Sequence, residues 1–430
     1  MQNARDVVVI DGVRTPFVKF NTAFAKVPAV ELGRIAVREA IERADVDPAQ
    51  IDEVVLGNIA GPSDAANIAR VVALLAKVPK RVPAFTVSRN CASGIESVVE
   101  GAYRIQAGHA DLVVAGAVES MSRIPLLWRD SAQDRWTALA RARGALAKLG
   151  VLSSFRPKHF SPVIALQQGL TDPISGLNMG ETAEVLAREF SLSREEQDAF
   201  ALESHRRTTA AWNEGRMTSE VVPVPIPPKY ETVVERDNGH RENQSTEALA
   251  KLRPVFDRKY GTVTAGNSSQ ITDGAAALVL ASRAKAQELG ARVLGTVRSW
   301  AFAGCDPARM GLGPVFATPI ALRRAGVSMS RLDLVELNEA FAAQVLACLK
   351  AFDSSDFAAA HGEGPAPGAP DPSILNVNGG AIALGHPVGA TGGRLILTAL
   401  KELDRRNGSL ALVTLCIGGG QGGAVVLERS

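Results

Sequence analysis

The sequence predicts an α/β protein built from two duplicated halves with a long excursion between them. Two observations carry this. First, short apolar runs that read as buried strands alternate with helical patterns, which indicates an α/β architecture with largely parallel sheets. Second, the pattern occurs twice. Val7-Val8-Val9-Ile10-Asp11-Gly12-Val13-Arg14 resembles Ala291-Arg292-Val293-Leu294-Gly295-Thr296-Val297-Arg298. Each is followed by an apolar helix and a strand, Val54-Val55-Leu56-Gly57-Asn58 in one half and Leu334-Val335-Glu336-Leu337-Asn338 in the other. Composition agrees: 430 residues, 46% hydrophobic and 21% charged, suit two or three domains and a core able to exclude water.

Taken in order, the chain enters its first strand at Asp6 without a basic start and a long apolar run. No stretch of about 18 apolar residues follows, so neither a signal peptide nor a membrane span is expected. The final Glu428-Arg429-Ser430 is not a peroxisomal address, and the cytoplasm is the default. A net charge of +2 predicts no nucleic-acid or membrane partner from bulk electrostatics. After the strand ending at Asn58 comes Ser88-Arg89-Asn90-Cys91-Ala92-Ser93-Gly94, then Ile95, Val98, Val99, Ala102 and Ile105 at helical spacing. A strand at 112–115 follows.

Residues 123–250 form the excursion. Ser193 and Glu196 make a capping box ahead of a helix. The proline-rich run 222–228 reads as extended chain. From Lys251 the chain returns to the first half through Gly261-Thr262-Val263-Thr264-Ala265-Gly266-Asn267-Ser268-Ser269. The expected division is a first half of residues 1–122 plus 251–290, an insertion of 123–250, and a second half of 291–430. Residues 353–372, rich in Ala, Gly and Pro, read as a surface loop.

The chemistry centres on Cys91, at or near the first turn of its helix. Free N–H groups and the positive end of the dipole favour a thiolate there. Alone, Cys91 also fits a small buried packing residue. Two glycine-rich loops near the other end decide between these readings. One is Asn378-Gly379-Gly380 running to Gly385-His386-Pro387, followed by Gly389, Gly392 and Gly393. The other is Cys416-Ile417-Gly418-Gly419-Gly420, at the end of a buried strand over 410–415. Glycine clusters this dense around one His and one Cys exceed what packing requires. Asn338 lies at a strand-to-helix junction, where it could be a helix cap. The four cysteines show no CxxC spacing, which argues against a disulfide framework or a zinc site. Cys305 and Cys348 read as packing residues. A nucleophilic Cys with a His and a second Cys suits acyl transfer through a thioester.

Asn90-Cys91-Ala92-Ser93-Gly94, Asn338-Glu339-Ala340-Phe341, Gly385-His386-Pro387 and Cys416-Ile417-Gly418-Gly419-Gly420 together resemble the signatures of thiolases, and the resemblance covers nearly the whole chain. It implies the thiolase fold, two related halves stacked as αβαβα layers with an inserted loop domain. It implies Cys91 as the acylated nucleophile, His386 as its activator, and Cys416 as the acid/base at the α-carbon of acetyl-CoA. Asn338 would hold a water in one oxyanion hole, and the N–H groups of Cys91 and Gly418 would form the other. Such donors are worth about 3–4 kcal/mol each. Ser269 and Arg241 resemble coenzyme A contacts, the latter near the adenine and phosphates. Met310 and Phe341 resemble residues lining the pantetheine and acyl channel. Coenzyme A and acyl-CoA would be substrates, with no permanently bound cofactor and no metal.

The chain departs from short-chain thiolases at Asn178-Met179-Gly180, where those enzymes often carry a His before the Met. Its insertion is also longer. Within 128–160, Arg129, Arg135, Arg141, Arg143, Lys148, Arg156 and Lys158 face only Asp130 and Asp134, with Leu139, Ala142, Leu146 and Leu149 as an apolar stripe. This segment reads either as a solvated surface helix or as a docking or membrane-surface hairpin. It resembles that of thiolase β-subunits of fatty-acid-oxidation complexes, which pair with an α-subunit. Thiolases also commonly form dimers or tetramers, which implies a homo-oligomer. The expected activity is reversible cleavage of 3-ketoacyl-CoA by coenzyme A. The alternatives are an acetoacetyl-CoA-specific acetyltransferase, a ketoacyl-carrier-protein synthase, and a lipid-binding protein on the same fold.

Overall fold

The computed structural model describes residues 3–361 and 364–430. Ten strands form one sheet among the described residues. Nine of them are β1 (Val7–Arg14), β2 (Glu53–Gly57), β3 (Ala84–Val87), β4 (Leu112–Ser120), β5 (Thr272–Ser282), β6 (Gly295–Gly304), β7 (Leu334–Leu337), β8 (Leu410–Ile417) and β9 (Gln421–Arg429), in the order β7-β8-β9-β6-β1-β5-β4-β2-β3. The tenth, Val18–Lys19, pairs with β5. The main helices are α1 (Ala29–Arg43), α2 (Ile68–Leu75), α3 (Ser93–Gln106), α4 (Asp130–Arg141), α5 (Ala145–Ser153), α6 (Met179–Glu189), α7 (Arg194–Asn213), α8 (Gly313–Ala325), α9 (Ala342–Asp353) and α10 (Thr391–Arg406).

The duplication is visible in the pairing. In the first half β3, β2 and β4 run parallel, and β5 and β1 follow antiparallel. In the second, β7 and β8 run parallel, a parallel bridge joins Val335 to Leu375, and β9 and β6 follow antiparallel. The sheets are therefore mixed rather than largely parallel. The sequence hid β9, because Gln421-Gly422-Gly423 reads as loop. Those glycines are required by packing. A Cβ at Gly422 would lie 1.9 Å from the Gly313 carbonyl oxygen, where α8 begins.

Side-chain alternation along the strands creates the layers. Val8, Ile10 and Val13 of β1 face an outer core shared with α1 and α2. Val7 and Val9 face a central core filled from α3 and α10. A third core lies between the second-half strands and α8 and α9. The order is αβαβα. The halves meet edge to edge over two residue pairs only, Val8 with Thr296 and Val9 with Gly295. The central helices do most of the joining.

Those helices cross with their backbones in contact. A Cβ at Gly94 would sit 2.5 Å from the Gly393 nitrogen, and one at Gly392 would sit 2.6 Å from the Ile95 nitrogen. Only glycine fits there. The crossing sets the loop before α3, which carries Cys91, beside the loop before α10, which carries His386.

The excursion leaves β4 at Ser120 and re-enters at Thr272, where the second half has only the turn at 418–420. It is pinned by a buried network. Arg14, fully buried, donates from Nη1 and Nη2 to the two carboxylate oxygens of Asp237 at 2.7 and 2.8 Å, and from Nε to Glu220 at 2.7 Å. Thr398 of α10 donates to the other Glu220 oxygen at 2.9 Å. Ser193 caps α7 with Glu196 reciprocating, as its spacing predicts. Val224–Pro225 of the proline-rich run is extended, paired with Val233–Val234. No helix among the described residues is long and apolar enough to cross a membrane.

Candidate active site

Cys91 sits two residues before α3, after Asn90, whose φ of +43° turns the chain sharply. The Asn90 side chain fixes that turn by donating to the Gly418 carbonyl at 2.7 Å. The Cys91 sulfur lies against the N–H groups of Gly418 and of Cys91 itself, which favour the thiolate. Burial outweighs them, and the nearby Glu119 carboxylate adds to it, so the thiol pKa shifts upward. The helix N-terminus does not by itself hold a thiolate here. The resting group is a thiol and requires a base.

His386 is 8% exposed, and its Nδ1 lies 2.6 Å from the Thr391 hydroxyl. That contact commits Nδ1 and leaves Nε2 as the free ring nitrogen. Burial, followed by the cation of Arg394, lowers its pKa to about 3, so the ring rests neutral. Arg394 is buried and pairs with Glu336 at 3.0 Å. The backbone N–H of His386 donates to the Gln270 carbonyl at 3.1 Å.

Cys416 is buried near the end of β8, in a strand that turns back into β9 rather than into a helix. Burial raises its pKa far above normal, and Cys91, Cys348 and Cys305 add to the shift. It therefore carries its proton. Cys348, on α9, is buried with its sulfur 3.1 Å from the Gly311 carbonyl, the packing role its sequence suggests. Burial pushes the thiol of Cys305 up to about 12.

Asn338 is not a helix cap: α9 begins at Ala342 with Phe341 at its N-cap. Its backbone N–H donates to the Thr414 carbonyl at 3.0 Å. Its side chain is fully buried, and neither Oδ1 nor Nδ2 has a protein partner. A buried amide with both ends unpaired is costly unless something polar occupies the space beside it.

The strand registers reveal a correspondence between the halves. Gly57 pairs with Ala117, and Leu337 with Thr414. Asn58 is thus the counterpart of Asn338, and Glu119 the counterpart of Cys416. In the first half this position is closed. Glu119 accepts from Asn58 Nδ2 at 2.9 Å, from the N–H groups of Ala60 at 3.0 Å and Ile59 at 3.3 Å, and from Gly389 at 3.3 Å. It clasps the loop after β2 to the loop after His386. Nothing local to Asn58 or Glu119 signals this clasp, since each sits at an ordinary strand end; comparing the two halves residue by residue exposes it. Burial raises the Glu119 pKa from 4.5 to about 7, against the pull of its N–H donors. A raised carboxyl binds its proton more tightly folded than unfolded, so it subtracts stability as pH climbs through that window. Glu119→Gln is expected to remove this part of the decline. Denaturant midpoints measured across that pH range check it, and an unchanged slope would refute the assignment.

A cavity of about 600 Å³ opens at Cys91. Cys91, Gly418, Gly419, Ile59 and Val388 line its inner end, and Met121, Leu127, Leu166, Leu170 and Met179 its outer walls. Asn178 caps α6 through a capping box with Glu181 and so orients Met179. Of the residues expected to contact coenzyme A, none lies on this wall. Ser269 donates its N–H to Ala340 at 2.9 Å, just past Asn338. The Phe341 ring meets Phe256 edge-on at 6.1 Å. Met310 is buried in the outer core that also holds Cys416. Arg241 is exposed and donates its N–H to His205 Nδ1 at 3.1 Å. Burial and then the charges of Arg241, His240 and Lys19 lower the His205 pKa to about 4.

Comparisons with known proteins agree with this architecture. A family model described as "Thiolase, N-terminal domain" matches residues 7–284, and one described as "Thiolase, C-terminal domain" matches 291–429. The chain is 44% identical over 424 residues to a protein of Colwellia psychrerythraea named 3-ketoacyl-CoA thiolase, covering 98% of this chain and 97% of the relative. A Vibrio cholerae protein of the same name is 42% identical, covering 98% and 97%. Among solved structures, a Bacillus anthracis acetyl-CoA acetyltransferase superposes with a TM-score of 0.88 at 37% identity, covering 99% of each chain. Human mitochondrial 3-ketoacyl-CoA thiolase gives 0.86 at 37% identity and the same coverage. With two matching halves, a shared fold and relatives spanning its full length, this chain belongs to the thiolase family.

Proposed function

We propose that this protein is an acyltransferase that cleaves 3-ketoacyl-CoA with coenzyme A, reversibly, and that its acyl site accepts long chains. The observation that carries the chain-length reading is the cavity of about 600 Å³ at Cys91, walled by Leu127, Leu166, Leu170 and Met179. In this reading His386 takes the Cys91 proton and the thiolate attacks the 3-keto carbonyl. The carbonyl oxygen gains charge, which the N–H groups of Cys91 and Gly418 stabilise. The bond between the α- and β-carbons breaks, and Cys416, held protonated by burial, delivers its proton to the acetyl-CoA enolate. A water beside the unpaired Asn338 amide supports that enolate oxygen. The Cys416 thiolate so formed takes the thiol proton of coenzyme A, the coenzyme's sulfur attacks the thioester carbonyl, and Cys91 leaves and regains its proton from His386. Lys19, its pKa lowered by burial and then by the nearby Arg241 cation, would with Arg241 suit the coenzyme's phosphates.

The test is kcat/KM for cleavage of 3-ketohexadecanoyl-CoA beside acetoacetyl-CoA. A preference for the long chain of about tenfold or more supports the reading; a strong acetoacetyl preference favours a short-chain acetyltransferase. Separately, Cys416→Ala is expected to lower kcat by about 10²–10⁴-fold while Cys91 still accepts an acyl group, visible as added mass. Normal turnover in that variant would remove Cys416 from the mechanism. Strand β3 leaves one side of the first-half sheet unpaired next to the Cys91 loop. That edge would pair across a two-fold axis in a homodimer.

A further inference from the structure

Among the described residues, thirteen buried side-chain nitrogen and oxygen atoms lack a protein partner. Five of them belong to three residues: Oε1 of Glu336, Oδ1 and Nδ2 of Asn338, and Nε and Nη2 of Arg394. All three residues are fully buried. An unpaired polar atom is costly at such depth, most of all on a charged group. The neighbouring polar groups are satisfied. Glu339 accepts from Ser204 at 2.6 Å and from Asn376 at 2.9 Å, and Asn376 also binds the N–H and the carbonyl of Leu337. The unpaired atoms are therefore gathered at one place.

The alternation of β7 explains the gathering. Val335 and Leu337 enter the outer core with α8 and α9. Glu336 and Asn338 consequently face the other way, toward α10. Asn338 keeps the strand's pairing through its N–H to Thr414. Arg394 approaches from α10, one turn beyond Thr391, and donates from Nη1 to Glu336 at 3.0 Å. Thr391 meets the His386 ring. The Arg394 charge is felt by Glu336, by Glu339 and by His386. Asn338 lies between the first two in the chain, so the guanidinium and the Asn338 amide border one buried polar space.

The charge in that space leans positive. Burial raises the Glu336 carboxyl against the pull of Arg394, and Glu220, Glu339 and Glu402 add to the rise. Arg394 stays cationic and has hydrogens left to donate from Nε and Nη2. A water that accepts from a cation is itself a stronger donor.

We propose that Arg394 is a positioning residue for the enolate step: it holds an ordered water against the Asn338 amide and lends that water positive charge. When the bond between the α- and β-carbons breaks, its electron pair passes to the acetyl-CoA enolate. The water donates to the enolate oxygen while Cys416 gives its proton to the α-carbon. Glu336 fixes the guanidinium through Nη1 and leaves Nε and Nη2 for water. This inference rests on the proposed thiolase activity.

The test compares two reactions of the full chain. Acylation of Cys91 by acetyl-CoA, followed as added mass, forms no enolate. Cleavage of acetoacetyl-CoA by coenzyme A forms one. Arg394→Met with Glu336→Gln removes both charges together, so no unpaired carboxylate stays buried. That variant should lower kcat for cleavage about 10- to 100-fold, with KM and the acylation rate within about threefold of the parent. Arg394→Lys, which keeps the cation, should recover most of the loss. A merely structural role would slow acylation as much as cleavage; that result, or unchanged cleavage, overturns the proposal. So does a lysine variant no faster than the neutral pair, because charge is then not the cause. If the neutral pair does not fold, crystals of the parent chain decide. Ordered water within hydrogen-bonding distance of both Arg394 and the Asn338 amide is expected, and none there overturns the assignment. A parent chain that neither acylates nor cleaves refutes the thiolase reading instead, while the density still judges the water site.

Discussion

Replacing Cys91 by alanine is expected to lower kcat by at least about 10⁴-fold, because no other group at the inner end of the cavity can form the thioester. Gly418, Gly419, Ile59 and Val388 offer only backbone and hydrocarbon there. The substitution removes one sulfur from a loop held by Asn90 and by the crossing of α3 with α10, so the fold should survive. Two measurements separate chemistry from folding. Mass spectrometry after incubation with a 3-ketoacyl-CoA should find an acyl adduct on the parent chain and none on the variant. Thermal unfolding should be little changed. An adduct that persists in Cys91→Ala would move the nucleophile elsewhere.

Arg14→Met should produce the largest loss of stability, about 3–5 kcal/mol, read from denaturant midpoints. It leaves the buried carboxylates of Asp237 and Glu220 without their cation. Asp237 keeps only the Phe17 N–H at 2.6 Å and Trp212 Nε1 at 3.2 Å. The contrast is Arg38→Met, whose partner Glu42 lies one turn along α1 with both side chains about half exposed. That change should cost less than about 1 kcal/mol, since solvent already screens the pair. Similar losses from both would mean that the Arg14 network does not anchor the insertion.

The sequence made some of this legible and concealed the rest for identifiable reasons. The helix after Cys91 was readable because Ile95, Val98, Val99, Ala102 and Ile105 all face the core, so burial and periodicity coincide. The loops around His386 and Cys416 were readable because close backbone approach leaves glycine as the only solution. Strand β9 was concealed by the same cause, since Gly422 and Gly423 look like loop although they pair in a sheet. The Glu119 clasp and the Thr391 contact were invisible as single residues. A strand-end carboxylate and a threonine five residues past a histidine have no distinctive pattern until their partners are placed. Cys91 illustrates a competition of effects: the helix start favours the thiolate, yet burial dominates, and depth of burial is not written in the local sequence.

The placement of β5 has a consequence for how the molecule is made. This strand lies between β1 and β4 in the first-half sheet, yet it is the last strand of that half to be synthesised, after the entire excursion. A ribosome that has released residues 1–120 has therefore delivered a sheet with a missing central member. β1 and β4 cannot pair until Thr272–Ser282 leaves the exit tunnel and slides between them. Until then the edge of β4 that faces away from β2 must wait unpaired, or in the keeping of a chaperone. Completion of the first half is thus timed by translation of the insertion, and slowing the ribosome within residues 121–271 should lengthen the interval in which the nascent chain is open to proteolysis.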